Sequence, residues 1–444
     1  MGKIFGFMMG FALLADVIPA YAGKTTPPLR GTPPQEGNLD NCAGMTELPG
    51  KITAADAVEL GLCRNNGTRA AYESVRAAKF QKYQGYSSYL PSVNAEGRRQ
   101  WRSDEYFGIQ NNPTSTAGLT ASWLLFDFGK RESDLGAAIA AWNAAGFDYD
   151  STIQTFVYDI ISAYYTALMA AADEKVNRDL LKVAEHSFNT ADKKFKAGVV
   201  PKADRLKAET QLAQKRVDLQ KSEGATKIAK GRLLNMMSFE ASLDIKLDDT
   251  TPEPELEARD IEGLIETAKN LRPDLRAARE NVNSADYKMY ASYLKNLPSV
   301  SASANQDYDV DNDLKSSSIS IRVSMPLFAG FSNFNATRAA RAQRDQSEFR
   351  ERSLSRSVER DVWDAFQNYN TALAVLESTR SLLSSARESE RVVSGMYNVG
   401  RSTMLDWLTA QSDLASAERQ AVYARYDLII KKHALALAIG EVER

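Results

Sequence analysis

The sequence is poor in the residues that most enzyme active sites use. Its 444 residues include only two histidines, His186 and His433, and two cysteines. Neither histidine has a nearby partner for a catalytic triad or a metal site. The stretch Gly23–Thr26 is not a phosphate-binding loop, because the first glycine of that motif is missing and no strand precedes it. We therefore predict that the chain is not an enzyme and binds no cofactor or metal.

Charge excess and long apolar runs are also absent. The 55 basic and 57 acidic residues give a formal net charge of −2, so nothing favours nucleic acid as a partner. No later stretch reaches the ~20 apolar residues that cross a bilayer as a helix. The apolar run Ile4–Ala15 and the small-residue site Ala20–Ala22 predict a secretory signal peptide at 1–22, and thus export. The Pro- and Gly-rich stretch 23–50 predicts a poorly ordered arm.

The two cysteines, Cys42 and Cys63, both follow the signal peptide. Export places them in an oxidising compartment, where disulfides form and persist. We predict that they pair and tie the arm to the first helix. The alternative is two free thiols.

Proline is missing from two long tracts, 114–200 and 328–444. Because proline breaks helix interiors, these tracts permit very long helices, and apolar residues recur in them with the helical period. The predicted helices lie at roughly 53–89, 128–196, 202–240, 261–295, 330–397 and 402–440. The long helix of each half has about 68 residues, or ~100 Å at about 1.5 Å per residue. Such lengths indicate a rod and not a compact globular domain.

Two distant stretches share one pattern. The stretch Phe195–Arg216 aligns without a gap with the stretch that begins at Tyr397, 202 residues later, so that Gly198 matches Gly400. The motif LPSV is also repeated, at an offset of 207 residues. After the arm, the chain therefore divides into a first repeat at 51–240, a linker at 241–260 and a second repeat at 261–444.

After each LPSV motif the apolar period changes to two, for example from Ile319 to Leu327. Segments of ~10 residues with this alternation are typical of outer-membrane strands. We predict one hairpin in each repeat, at about 91–126 and 298–328. A soluble amphipathic hairpin is the alternative. Four strands cannot close a barrel, because small barrels begin at about 8 strands, so the chain must combine its strands with copies of itself.

The duplicated helix–hairpin–helix plan, the LPSV motifs and the repeated G-x-x-x-x-x-D-x-L-x-A turn resemble the TolC family of outer-membrane efflux proteins, over about residues 52–440. The resemblance implies a mainly α fold with a membrane β-barrel part. Duplicated long-helix hairpins would form a trimeric α-barrel, and the four strands of each chain would contribute to an outer-membrane barrel of about 12 strands. It places the protein in the outer membrane of a Gram-negative bacterium, with a large periplasmic part.

The resemblance also implies a function. The protein would be the exit duct of a tripartite export system, with a periplasmic adaptor and an inner-membrane transporter of the RND or ABC type as partners. It would conduct substrates passively, either small molecules or unfolded protein of a type I secretion system. The alternative is a structural coiled-coil envelope protein, a spacer or adhesin stalk without a channel, which leaves the hairpins unexplained.

Residues of the repeated turns receive roles from the same resemblance. In the family, a tyrosine and an arginine of the second turn, linked to an aspartate of the first, hold the periplasmic tip closed. Tyr397 and Asp204 match, whereas Arg401 lies one residue before the arginine position, which here is Ser402. Asp406 matches an aspartate of the constriction, and threefold symmetry would make it a cation-attracting carboxylate ring. The alternative for both aspartates is a favourable position at a helix N-terminus.

Three further patterns have defined interpretations. The turns themselves are expected to dock the adaptor, through Gly198, Val199, Gly400, Arg401 and Ser402. The stretch Asp307–Asp313 has the alternating carboxylates of a calcium loop but lacks its turn glycine and closing glutamate, so an exposed loop is favoured over weak divalent binding. Aromatic residues flank the first hairpin and belong either to an interfacial girdle or to strand–helix packing: Trp101, Tyr106, Phe107 and Trp123.

Overall fold

The computed structural model describes residues 49–101, 113–249 and 260–441. The first repeat contains α1 (Ala54–Arg64), α2 (Asn66–Ser87), β1 (Ser92–Gln100), β2 (Thr114–Phe126), α3 (Lys130–Lys196) and α4 (Lys202–Met236). The second contains α5 (Ile261–Leu271), α6 (Pro273–Leu294), β3 (Ser299–Asp309), β4 (Leu314–Ser324), α7 (Ser332–Asn398) and α8 (Met404–Ile439). The long helices α3 and α7 both have 67 residues. The internal repeat of the sequence is therefore a repeat of structure.

The first helix of each repeat is broken, where the sequence predicted one continuous helix at 53–89 and one at 261–295. The first break lies at Asn65, whose side chain accepts two backbone N–H bonds from the start of α2, at 2.7 and 3.2 Å, and so caps that helix. The second lies at Arg272, with ψ 121°, because the ring of Pro273 disfavours helical backbone in the residue before it. The breaks are 207 residues apart, the offset of the LPSV motifs.

The four strands form one antiparallel sheet in the order β1–β2–β3–β4, which confirms both predicted hairpins. Strands β2 and β3 join the hairpins, with Trp123 opposite Ala302. In β4 the predicted alternation places Ile319, Ile321 and Val323 in one exposed apolar row. Within the described part of the chain, the outer edges of β1 and β4 have no partner strand.

Each half of the rod has four helices side by side. Next to the sheet the order is α2, α3, α6, α7, and in the far half it is α4, α3, α8, α7. The helices and the strands follow the same order, because α2 leads into β1 and β4 leads into α7. The long helices α3 and α7 thus run the full length of the rod, ~100 Å at about 1.5 Å per residue.

The shorter helices meet near the middle of the long ones. In the first repeat, Tyr164 of α3 donates its hydroxyl to the carbonyls of Ile52 and Asp248, at 2.9 and 2.7 Å. Ile52 also forms a parallel bridge with Leu247. Residues 241–249 of the predicted linker therefore pack against the first repeat. In the second repeat, an apolar cluster joins α5, α7 and the end of α8.

Several predicted features can be located. Cys63 is disulfide-bonded, but Cys42 lies outside the described residues, so their pairing stays a prediction. Tyr106 and Phe107 also lie outside them. Trp123 donates its indole N–H to the carbonyl of Tyr89, in the turn between α2 and β1, at 2.9 Å.

Membrane-spanning helices and metal-binding clusters are both absent from the described ranges. No helix there is both long enough and apolar enough to cross a membrane. No three or more His, Cys, Asp or Glu side chains there are grouped so that they could hold a metal ion. At the tip of the second hairpin, the Asp309 carboxylate instead accepts a hydrogen bond from the Asn312 side chain at 2.8 Å.

Candidate functional site

The two repeated turns lie together at the end of the rod that is far from the sheet. Each closes its long helix with a Schellman motif, in which the second N–H past the helix cap donates back to the helix, at 2.9 and 2.8 Å. Gly198 and Gly400 occupy the left-handed position of these motifs, with φ +69° and +76°. A side chain is strained in that conformation, which explains why both turns carry glycine.

The helices that follow the turns begin differently. Helix α8 starts with a capping box, in which the Asp406 carboxylate accepts hydrogen bonds from the Thr403 N–H and hydroxyl, at 2.9 and 2.6 Å. The Ser402 hydroxyl donates to the same carboxylate at 3.2 Å. These bonds, first of all that of the Thr403 side chain, hold the pKa of Asp406 below its usual value. Helix α4 begins after Pro201 without a side-chain cap, and Asp204 lies in its first turn, the favourable position that the alternative for this aspartate describes.

A buried aromatic cluster holds the second turn against the first. Tyr397, one turn before Gly400, is 3% exposed and stacks on Trp407 with ring centroids 4.9 Å apart. The Lys194 ammonium lies 4.0 Å from the Tyr397 ring centroid and donates to the Tyr397 carbonyl at 2.9 Å. Trp407 in turn donates its indole N–H to Glu390 at 3.1 Å. Lys194 therefore links the end of α3 directly to the end of α7.

Of the predicted gate residues, only Tyr397 and Asp204 lie near each other within a single chain. Burial raises the pKa of Tyr397, and the nearby charge of Asp204 raises it further. The Tyr397 hydroxyl is buried and has no hydrogen-bond partner among the described residues. Arg401 is exposed, and within the described ranges it forms no ion pair with Asp204. The proposed links between Arg401, Tyr397 and Asp204 therefore stay a prediction about the assembled tip.

Sequence reasoning missed Lys194, Trp407 and Glu390. The internal repeat gave no signal for them, because the matching positions have different residue types. Lys194 matches Met396, Trp407 matches Arg205, and Glu390 matches Phe188. The pairing of positions is nevertheless repeated, since the Arg205 guanidinium lies 5.7 Å from the Phe188 ring centroid. The same two positions are therefore in contact in both turns, and each pair has one charged and one aromatic residue. The aromatic residue is at the first position in one turn and at the second position in the other.

A shallow groove between α4 and α8 begins beside the turns and has a volume of about 710 Å³. Its lining consists of five pairs of positions that match in the repeat: Ala203 and Leu405, Leu206 and Leu408, Lys207 and Thr409, Thr210 and Ser412, Gln211 and Asp413. The groove therefore has approximate twofold symmetry, with leucines near the turns and polar side chains farther along.

A family model described as outer membrane efflux protein matches residues 58–238 and 264–441, which include most of both repeats. The chain belongs to this family. Among curated relatives, protein CyaE of Bordetella pertussis is 24% identical over 96% of this chain and 90% of that protein. Outer membrane protein TolC of Vibrio cholerae is 23% identical over 84% of this chain and 85% of that protein.

Solved structures show the same fold. The CmeC outer membrane channel of Campylobacter jejuni superposes with a TM-score of 0.79 at 16% identity, over 87% of this chain and 85% of that one. The outer membrane protein VceC of Vibrio cholerae gives a TM-score of 0.76 at 19% identity, over 87% and 96%.

Family membership confirms the predicted resemblance, fold class and location. Members are outer-membrane channels with large periplasmic helical parts, which serve efflux and secretion, and they are not enzymes. The chain is accordingly an outer-membrane efflux channel protein. Its four-stranded sheet is a feature that the alternative of a coiled-coil spacer or stalk does not require.

Proposed function

We propose that the chain is the passive exit duct of a tripartite export system and that three copies form the duct. One observation carries the proposal. Two matching turns lie side by side at one end of a rod of ~100 Å, and at the other lies a sheet whose two outer edges have no partner strand among the described residues. The sheet end fits the outer membrane and the tip fits a periplasmic docking partner. Energy would come from an inner-membrane transporter of the RND or ABC type.

The free sheet edges support closure by copies of the same chain. Unpaired backbone N–H and C=O groups are not tolerated in lipid, because no water is present to satisfy them. Strand β4 of one copy would pair with β1 of the next. Three copies with four strands each would give a barrel of about 12 strands, within the range of known outer-membrane barrels. The same closure would bring three tips together.

The tip is the proposed docking surface for a periplasmic adaptor. The groove between α4 and α8 is shallow and has approximate twofold symmetry, so it suits a helical hairpin better than a small molecule. Its leucines would provide apolar contact, and its polar side chains would fix the orientation of the bound hairpin. The adjoining turn residues would complete the surface: Gly198, Val199, Gly400, Arg401 and Ser402.

The same tip would regulate passage. Three copies of Asp406 would form a ring of carboxylates that attracts cations. Tyr397 and Asp204, already close in one chain, would tie the second hairpin to the first in the closed state. Arg401, exposed in one chain, is free to reach a neighbouring copy.

The proposal is tested on the full-length protein purified in mild detergent. Native mass measurement should give three chains, and the same sample should conduct ions after insertion into a planar bilayer. A stable folded monomer that produces no conductance would contradict the proposal. Crosslinking in cells, followed by identification of the co-purified proteins, should recover an adaptor bound at the tip. Replacement of Leu206 and Leu408 by Asp should abolish that crosslink and leave the trimer mass unchanged.

A further inference from the structure

One side of α2 and one side of α7 have no neighbouring helix in the described chain, because these helices are the outer members of the four-helix layer. On α2, Lys82 faces α3, where its ammonium lies 3.5 Å from the Trp142 ring centroid. Phe80 lies two positions earlier, about 160° around the helix, and is 59% exposed. An aromatic side chain therefore points away from the layer at its α2 edge.

The opposite edge has a matching feature. On α7, Arg344 faces α6, where it bonds Asp286 at 2.9 Å. Phe349 lies five positions later, about 140° around the helix, and is 65% exposed. A shallow surface groove surrounds it. A second aromatic side chain therefore points away from the layer at its α7 edge.

The two phenylalanines lie at nearly the same height along the rod. Three contacts cross the layer in sequence: Lys82 with Trp142 at 3.5 Å, Asn143 with Glu280 at 3.3 Å, and Arg279 with Glu351 at 3.5 Å. Because neighbouring helices are antiparallel, these contacts place Lys82 level with Phe349. Phe80 is two residues from that level, ~3 Å along the axis.

The correspondence in height continues farther from the sheet. The rings of Tyr72 and Tyr149 are 6.1 Å apart, and Arg276 lies 4.2 Å from the Phe147 ring centroid. Followed across the layer together with the Arg279–Glu351 pair, these contacts place Glu73 of the α2 edge within one residue of the level of Arg356 of the α7 edge. Both side chains are exposed. Glu73 already pairs with Arg76 of its own helix at 2.8 Å, so it is the aromatic pair that makes the two edges complementary.

We infer that Phe349 of one copy packs against Phe80 of the next copy and sets the axial register between neighbours. This inference rests on the proposed function, since it requires a closed ring of copies. The α2 edge is continuous with the free edge of β1, and the α7 edge is continuous with the free edge of β4. Pairing of β4 with β1 therefore brings the two edges together, and equal height places the aromatic rings within contact distance.

Cysteine crosslinking tests the register in full-length protein in outer membranes. Phe80→Cys with Phe349→Cys should give covalent dimers and trimers on a denaturing, non-reducing gel after mild oxidation. Each single substitution should not. The matched control is Phe80→Cys with Arg360→Cys, which keeps an exposed position on the same side of α7 but shifts it by ~16 Å. Crosslinking of the control pair to the same extent would overturn the inference.

The outcomes also separate this inference from the proposed function. If the wild type has the mass of three chains but the Phe80–Phe349 pair does not crosslink, the register is wrong and the trimer stands. If the wild type is monomeric, closure by copies fails as well.

A second pair of variants does not depend on thiol chemistry. Phe349→Asp should lower the apparent association constant of the copies about tenfold or more, because it places a charge in an apolar contact. Tyr290→Asp is the control, since Tyr290 is also well exposed, at 57%, but belongs to α6, which has neighbours on both sides. Equal effects of the two substitutions, measured by native mass on dilution, would overturn the inference.

Discussion

Asp406 illustrates how one side chain can serve both the helix and the channel. Its carboxylate closes the capping box of α8 through one oxygen, Oδ2, which receives all of its hydrogen bonds. The residue remains exposed. A capping carboxylate at the tip can therefore still attract cations, and the two interpretations are not exclusive.

The two roles of Asp406 can be separated by substitution. Thr403→Ala removes the capping hydroxyl but keeps the carboxylate, so we expect a loss of about 0.5–2 kcal/mol in the free energy of unfolding and unchanged ion selectivity. Asp406→Ala should lower stability and also reduce cation selectivity and block by trivalent cations in a planar bilayer. If Asp406→Ala changes only thermal stability, the carboxylate is a cap alone and the proposed ring is wrong.

Tyr397 places a hydroxyl where the single chain has no use for it. A buried polar group without a hydrogen bond costs about 1–3 kcal/mol. Tyr397→Phe keeps the stack on Trp407 but removes the link that the hydroxyl would form in the assembled tip, so we expect a lower melting temperature for the assembled protein. Combined with Arg401→Ser, it should raise conductance in a planar bilayer, because the hydroxyl and the guanidinium would no longer tie the closed tip. An unchanged or higher melting temperature for Tyr397→Phe would show that the hydroxyl stays unpaired and does not tie the tip.

The helices show what could be predicted from the sequence and what could not. The long helix predicted at 128–196 begins at Lys130 and ends at Lys196. Both ends could be predicted, because a glycine-containing turn lies on each side of the proline-free tract. The breaks at Asn65 and Arg272 were missed. In both places the apolar pattern continues across the break, since the two short helices pack against the same long helix.

Contacts at the tip were beyond sequence reasoning for a different reason. The bond from Lys194 to the Tyr397 carbonyl joins residues 203 positions apart, and one partner is a backbone atom. Any residue can offer a carbonyl, so no residue type at position 397 signals such a contact. The Tyr397–Asp204 proximity could be anticipated only because the resemblance assigned both residues a role.

The role of the turn glycines can be tested with glycine-to-alanine substitutions that should change the free energy of unfolding in opposite directions. Gly198→Ala and Gly400→Ala force a side chain into left-handed backbone, so each should destabilise the protein by about 1–2 kcal/mol. Gly395→Ala lies inside α7, where an added Cβ meets no atom within 4 Å. It should stabilise by about 0.5–1 kcal/mol, because alanine favours the helix. Thermal unfolding followed by helical circular dichroism measures all three, and a neutral Gly400→Ala would contradict the Schellman assignment.

The whole molecule combines one extended wall with two specialised ends. Four helices lie side by side both next to the sheet and in the far half of the rod, because one set of short helices begins near the level at which the other set ends. A wall of constant width can line a duct over its full length. The duplication gives both hairpins the same reach, so that two turns from each chain arrive at one tip.

The predicted disulfide between Cys42 and Cys63 would join the N-terminal arm to this wall. Cys63 lies in the last turn of α1, directly before the break at Asn65, where the short helices meet near the middle of the rod. It is disulfide-bonded. The bridge would close a loop with 20 residues between the cysteines, which is worth about 3 kcal/mol in the chain-entropy model.

Because the bond needs both sulfurs, the effects of removing either cysteine on the melting temperature should not add. Cys42→Ser, Cys63→Ser and the double substitution should lower the melting temperature by the same amount, whereas two independent thiols would give effects that add. Thiol labelling of the denatured, unreduced protein should fail, and labelling after reduction should mark two sites in each chain. Full labelling before reduction, or a double variant that is clearly less stable than either single one, would show that the arm is not joined to α1 by this bond.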